Sequence, residues 1–198
     1  MKEIKVKITF TEEVLGTSSN NPEIHDEYIA SKAPDAPSRQ EEVAALGVGE
    51  VVEKSMTVFP RTDDLIPFIW DYQLKGFFKD ACGVLKKVSD TKSSKIKAYK
   101  KEIDGLIFVF DRKIPIQNYG HVGECQRPLR AQTAQGERVA LAHSETVPAG
   151  SYIICTIRCL KDDLMSAVKE WLDYGQLRGF GQWRNSGKGR FVWEEVKE

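Results

Sequence analysis

Residues Gly179-Phe180-Gly181-Gln182-Trp183-Arg184-Asn185-Ser186-Gly187-Lys188-Gly189 gather the groups that hold an anion. Eleven positions carry four glycines, two cations and two aromatic rings, with Arg178 and Arg190 at the edges. Glycines admit left-handed backbone and close approach of another molecule. A loop of this kind turns several N–H groups toward one oxyanion. Arg184 and Lys188 add charge, and Trp183 offers a face on which a base stacks. The competing reading is a flexible surface turn. Two familiar phosphate loops do not fit. A P-loop has four residues between its first glycine and the Gly-Lys pair, then Ser or Thr and a helix. Here five residues separate Gly181 from Gly187, Gly189 follows Lys188, and strand-like Phe191-Val192-Trp193 comes next. A dinucleotide fingerprint leads from strand into helix, the reverse of this order.

Other residue types offer less. His25, His121 and His143 are isolated in sequence. Asp26, Asp35, Asp63 and Asp64 precede the first clear helix, and each reads first as a solvated carboxylate. The four cysteines (82, 125, 155 and 159) lack C-x-x-C spacing and read as reduced residues. Cys155 and Cys159 share a strand face with Ile153 and Ile157, which favours core packing over metal binding. No cofactor or metal is called for.

The chain has 198 residues and a formal net charge of zero, so it reads as one domain (1–198) with no partner dictated by overall charge. The charge is unevenly spread. Acids outnumber bases from Glu12 to Asp64, whereas seven lysines stand between Lys86 and Lys101 against Asp90 alone. That asymmetry suits an anionic partner, and equally a solvated lysine face. No run approaches the ~18 apolar residues of a membrane span, and the charged, alternating N-terminus is no signal peptide, so no membrane role and a cytoplasmic location are expected.

The elements that must position the loop follow from periodicity. Ile4, Val6, Ile8 and Phe10 alternate as the inner face of a strand. Residues 17–66 read as an acidic insertion, with short helices over 22–33 and from Arg39 and a strand over 51–59. From Asp71, residues Leu74, Phe77, Phe78, Ala81, Cys82 and Leu85 recur at three and four, an amphipathic helix with Lys75, Lys79 and Lys86 opposite. Leu106–Phe110 is a continuous apolar run, expected as a central strand. Residues 111–136 read as an irregular basic insertion holding Arg127 and Arg130, with a strand over 137–142. Ser151–Leu160 is a strand, and Leu164, Val168, Trp171, Leu172 and Gly175 stripe a second helix. After the loop, 190–196 form the last strand. The order is βαββαβ, an α+β, ferredoxin-like (RRM-like) core with an insertion after the first strand and a C-terminal Gly-rich loop.

With these elements in place, the loop resembles the signature of the RAMP superfamily of CRISPR-associated RNA-binding proteins: Gly-hydrophobic-Gly, five residues including a base, then Gly-x-Gly. Gly179-Phe180-Gly181, the Arg184-containing run and Gly187-Lys188-Gly189 fit it, with Lys188 where the family has a hydrophobic residue. Tyr72-Gln73-Leu74-Lys75-Gly76 resembles the Ser-Ser-Leu-Lys-Gly motif that opens the first helix of CRISPR effector backbone subunits. Glu145-Thr146-Val147-Pro148-Ala149-Gly150 is similar to their Glu-Arg-Val-Pro-x-Gly turn. The chain also resembles standalone relatives carried by phages and prophages, which implies the cytoplasm of a bacterial host.

Three functions follow from the residues and the resemblance together. The first is non-catalytic binding of single-stranded nucleic acid, RNA ahead of single-stranded DNA, with oligomerisation along the strand. Lys75, Lys79, Arg127, Arg130, Arg178, Gly179, Gly181, Trp183, Arg184, Gly187, Lys188 and Gly189 would form its surface. The second is a ribonuclease, metal-independent or metal-assisted, using a histidine or loop aspartate. The third is a phage anti-defence protein that mimics an effector subunit and binds a host defence protein or guide RNA, a reading by fold analogy.

Overall fold

A computed structural model describes residues 1–19, 56–133 and 136–196, with backbone alone over 129–133 and 136–140. The helices expected within 22–33 and after Arg39 lie outside the described residues. In chain order the strands and helices are β1 (Lys2–Phe10), β2 (Val14–Leu15), β3 (Ser18–Ser19), β4 (Thr57–Val58), β5 (Phe68–Trp70), α1 (Asp71–Leu85), α2 (Tyr99–Leu106), β6 (Ile107–Phe110), β7 (Lys113–Pro115), β8 (Gly123–Thr133), β9 (Gly136–Val147), β10 (Tyr152–Cys159), α3 (Asp162–Arg178) and β11 (Phe191–Glu195). The class is mixed α+β.

The chain divides into two compact units. The first comprises Met1–Val14, Pro60–Val122 and Val147–Glu198; the second comprises Leu15–Phe59 and Gly123–Thr146. In the first, a four-stranded sheet runs β11-β1-β10-β6 with every neighbour antiparallel. Ile4, Val6, Ile8 and Phe10 of β1 and Ile153, Cys155, Ile157 and Cys159 of β10 are all buried on its inner face. α1 and α3 cover that face through their expected apolar stripes. Phe78 meets Trp171 at 5.6 Å between ring centroids, and Phe77 meets Phe191 edge-on at 5.3 Å. Full burial of side chains this size contributes about 1.5–3 kcal/mol each, which fixes the helices on the sheet. Gly175 allows the closeness: a Cβ there would overlap the Phe191 ring.

Three local expectations change. The Leu106–Phe110 run is not central. It supplies β6 at the sheet edge, with Ile107 and Val109 buried and Phe108 and Phe110 exposed. The lysine-rich stretch holds a helix of its own, α2, anchored by fully buried Ile103. The stretch read as irregular from 111 contains β7 and the long strand β8. β8 forms the second unit's hairpin with β9, in register from Gly123 opposite Thr146 to Thr133 opposite Gly136. The second unit's sheet runs β2-β9-β4-β3, with β8 also paired to β9.

Candidate nucleic-acid interface

The Gly-rich loop joins α3 to β11 inside the first unit. Its two glycine pairs form a neck in which the chain crosses itself. The Phe180 N–H donates to the Gly189 carbonyl at 2.8 Å, and the Gly189 N–H donates to the Glu13 carbonyl at 2.8 Å. A Cβ on Gly179 would overlap the Lys188 carbonyl oxygen, and one on Gly189 would overlap that of Phe180. Both have positive φ, +77° and +72°. Phe180 is buried and anchors the neck 6.3 Å from Phe10. Gly179 and Gly189 therefore serve contact of the chain with itself. Beyond the neck, Arg184–Ser186 form one 3-10 turn. Trp183 precedes it in the left-handed region (φ +53°) with 37% of its surface exposed. A bulky residue held there costs about 1–3 kcal/mol, and such strain gathers at binding sites.

The cations are placed by carboxylates distant in sequence. Asp80 of α1 accepts on one oxygen, Oδ2, from Arg178 Nε at 3.0 Å and from Arg184 at 2.7 Å. Arg178 also donates to Asn185 Oδ1 at 2.9 Å, tying helix end to loop. The Asp80 hydrogen bond and charge hold the Arg178 guanidinium above its ordinary pKa, against the desolvation that would lower it. Lys188 is ion-paired with Glu13.

Lys75 and Lys79 turn to another side of α1. Lys79 pairs with Asp104 at 2.6 Å, while Lys75 donates to the Asp104 carbonyl at 3.3 Å and lies 5.0 Å over the Phe108 ring. The structure brings Arg178, Arg184 and Trp183 together with the loop glycines, and gathers Lys75 and Lys79 around α2. Arg127 belongs to the second unit, where it is 6% exposed and donates to Ser144 Oγ at 3.2 Å. Arg130 lies on β8, where backbone alone is described.

The residues considered for cleavage are scattered. Asp63, Asp64 and His121 are exposed, His143 contacts Glu124 at 3.0 Å, and His25, Asp26 and Asp35 lie outside the described residues. Among the described residues, no three His, Cys, Asp or Glu side chains group as metal ligands. Among the same residues, no helix is long and apolar enough to cross a membrane. Sequence reading passed over Asp80, which sets the geometry of both arginines. Its position on the helix face next to Phe77 and Ala81 gave no signal, because its partners are 98 and 104 residues away.

No protein-family model and no curated protein matches the sequence. A solved structure shares the fold. A chain in the cryo-EM structure of Type III-B Cmr-beta bound to cognate target RNA matches with a TM-score of 0.53 at 12% identity. The match covers 98% of this chain and 58% of that one, so this chain spans under two thirds of that chain's length. Looser likenesses are a chain of a Type IV-B CRISPR complex (TM-score 0.47, 11% identity, 98% and 90% covered) and the crystal structure of Cmr4 (0.45, 13%, 99% and 100%). The first of these likenesses bears on the fold alone.

Proposed function

We propose that the chain binds single-stranded nucleic acid, RNA in particular, without cutting it, and that copies assemble along the strand. The sheet order supports a ferredoxin-like βαββαβ core of the RAMP kind, and the shared fold with a chain from an RNA-bound complex agrees with it. One observation carries the reading. Arg178 and Arg184 converge on a single carboxylate oxygen of Asp80 beside the exposed, strained Trp183. Two guanidiniums and one carboxylate keep a net positive charge in a fixed position. A guanidinium has five N–H donors, more than one carboxylate can take. A phosphate oxygen fits where two guanidiniums already converge, and a base stacks on the indole alongside.

The test is fluorescence anisotropy with labelled single-stranded RNA, single-stranded DNA and duplex across a salt series. Single strands should bind, RNA most tightly, with affinity falling steeply as salt rises. Arg184→Ala should weaken binding and flatten the salt slope. Absence of binding to any strand at low salt would sink the proposal, and shortened RNA product would replace it with a nuclease reading.

A further inference from the structure

Alternation along a half-buried sheet should leave polar side chains on the solvent face. In the first unit that face carries rings. Tyr152 and Ile154 of β10 and Phe108 and Phe110 of β6 point away from the buried side, and the two phenylalanines are 38% and 41% exposed. Each ring lies under a cation. Lys7 sits 4.7 Å over Tyr152, Arg158 sits 4.8 Å over Phe110, and Lys75 reaches from α1 to 5.0 Å over Phe108. The register packs them closely: Phe108 is opposite Arg158, Phe110 opposite Thr156, and Lys7 opposite Ile154. Lys5, also outward and exposed, adds a fourth cation. Among the described residues two carboxylates pair with these four: Glu194 at 3.2 Å from Lys7 and Glu3 at 2.5 Å from Arg158. The face is net positive and unusually aromatic.

The geometry points to this sheet face as a second contact surface for single-stranded nucleic acid, with bases stacked on Phe108, Phe110 and Tyr152 and phosphates held by Lys5, Lys7, Lys75 and Arg158. The assignment rests on the nucleic-acid reading above and adds a surface separate from the glycine loop. The chemistry selects the occupant. Unpaired bases present flat apolar faces, and the backbone that carries them presents one anion per nucleotide, so rings and cations are both used. The cations are on long side chains that move from ring to phosphate. A duplex hides its base faces. An apolar protein surface would strand four cations away from water. A second copy of the same face would oppose like charge.

The experiment uses the full chain and a fluorescein-labelled oligouridine RNA containing 4-thiouridine. The Phe108→Ser/Phe110→Ser variant alters exposed rings, and its melting curve checks that it folds. Affinity should fall roughly fivefold to a hundredfold, the range for losing one stacked base, or further if both rings hold a base. The salt slope should stay as in the parent chain, because the phosphate contacts remain. Ultraviolet crosslinks should map to the β6 and β10 peptides. If the double variant does not fold, Lys5→Glu serves instead, with lower affinity and a shallower salt slope expected. Unchanged affinity in the variant that is measured, together with crosslinks elsewhere, overturns the inference. If Arg184→Ala still weakens binding in that case, the loop reading stands alone. If the parent chain binds no RNA, both readings fall. A shift in oligomeric state without a change in affinity would make the face a contact between copies, and also overturns the inference.

Discussion

The carboxylate of Asp80 should compete with any phosphate that enters the loop, and Asp80→Asn measures that competition. The substitution keeps the side-chain shape and one acceptor oxygen while removing a unit charge. Arg178 Nε and Arg184 lie 3.0 Å and 2.7 Å from Oδ2, with all three side chains between 25% and 30% exposed. A charge-assisted hydrogen bond is roughly twice as strong as a neutral one, so the change costs about 1 kcal/mol per bond, or about 2 kcal/mol of stability. For a chain this size that is about 4–8 °C in melting temperature. The effect on binding has the opposite sign. A phosphate about 5 Å from the Asp80 carboxylate is repelled by about 0.8 kcal/mol at bulk-water dielectric and about 3 kcal/mol at the effective value near a protein surface. Affinity for single-stranded RNA at low salt should therefore rise by about fourfold to 160-fold as stability falls. If the freed guanidiniums gain one phosphate, the slope of log K against log salt should steepen by about 0.7. Anisotropy titrations at 50–200 mM salt read both quantities. A loss of affinity comparable to that of Arg184→Ala would refute the reasoning, because Asp80 would then be holding the arginines in a binding geometry and not competing with the ligand.

The remaining expectations concern the neck, the helices and the thiols. Gly189→Ala should lower unfolding free energy by about 2–4 kcal/mol, since a Cβ would overlap the Phe180 carbonyl and sit at φ +72°. Gly76→Ala, on α1 with nothing within 4 Å of the added carbon, should raise stability by about 0.5–1 kcal/mol, and urea titrations read both changes. Burial raises the Cys155 thiol from 9.0 to about 12, with a smaller contribution from Asp111, and burial raises Cys159 to about 11. These thiols ionise more readily in the unfolded chain, so their contribution is complete below pH ~9 and is lost as pH climbs toward 11–12. Stability should fall by up to ~1.4 kcal/mol per pH unit for each thiol in that window, and Cys155→Val/Cys159→Val should fall less steeply. Neither thiol should react with iodoacetamide at pH 8 until the chain unfolds.

The periodic elements were legible because their burial repeats in the sequence. β1, β10, α1 and α3 formed with the inner residues that alternation and helical spacing assigned, except that Leu85 at the end of α1 is only part-buried. β6 was misread as central because an apolar run was equated with burial on both faces, while Phe108 and Phe110 point outward under cations. α2 was hidden by lysines that turn to solvent around one buried residue, Ile103. β8 lacks the apolar alternation that marks a strand, and its eleven-pair ladder with β9 supplies the order instead. The loop was found for its glycines, of which Gly179 and Gly189 let the chain pass close to itself at the neck. Its ion pairs were beyond sequence reading, because Arg184 meets Asp80 across 104 positions and Lys188 meets Glu13 across 175.

That pairing pattern bears on how such a chain would hold a nucleic acid. Arg178 and Arg184 share Asp80, Lys188 has Glu13, Lys79 has Asp104, Lys7 has Glu194 and Arg158 has Glu3. A phosphate contact at any of these paired cations must therefore displace or share an existing carboxylate, and the gain there is smaller than for a solvated cation. Half-exposed pairs of this kind are worth up to about 1 kcal/mol, so the competition is weak enough to lose to a polyanion and strong enough to discourage a single small anion. On the proposed function, one copy would grip a short strand poorly. Useful affinity would come from adding contacts, either across the loop and the sheet face of one copy or across successive copies along one strand. The zero net charge of the chain is consistent with that arrangement, since copies of a strongly basic chain would repel one another when packed along a strand.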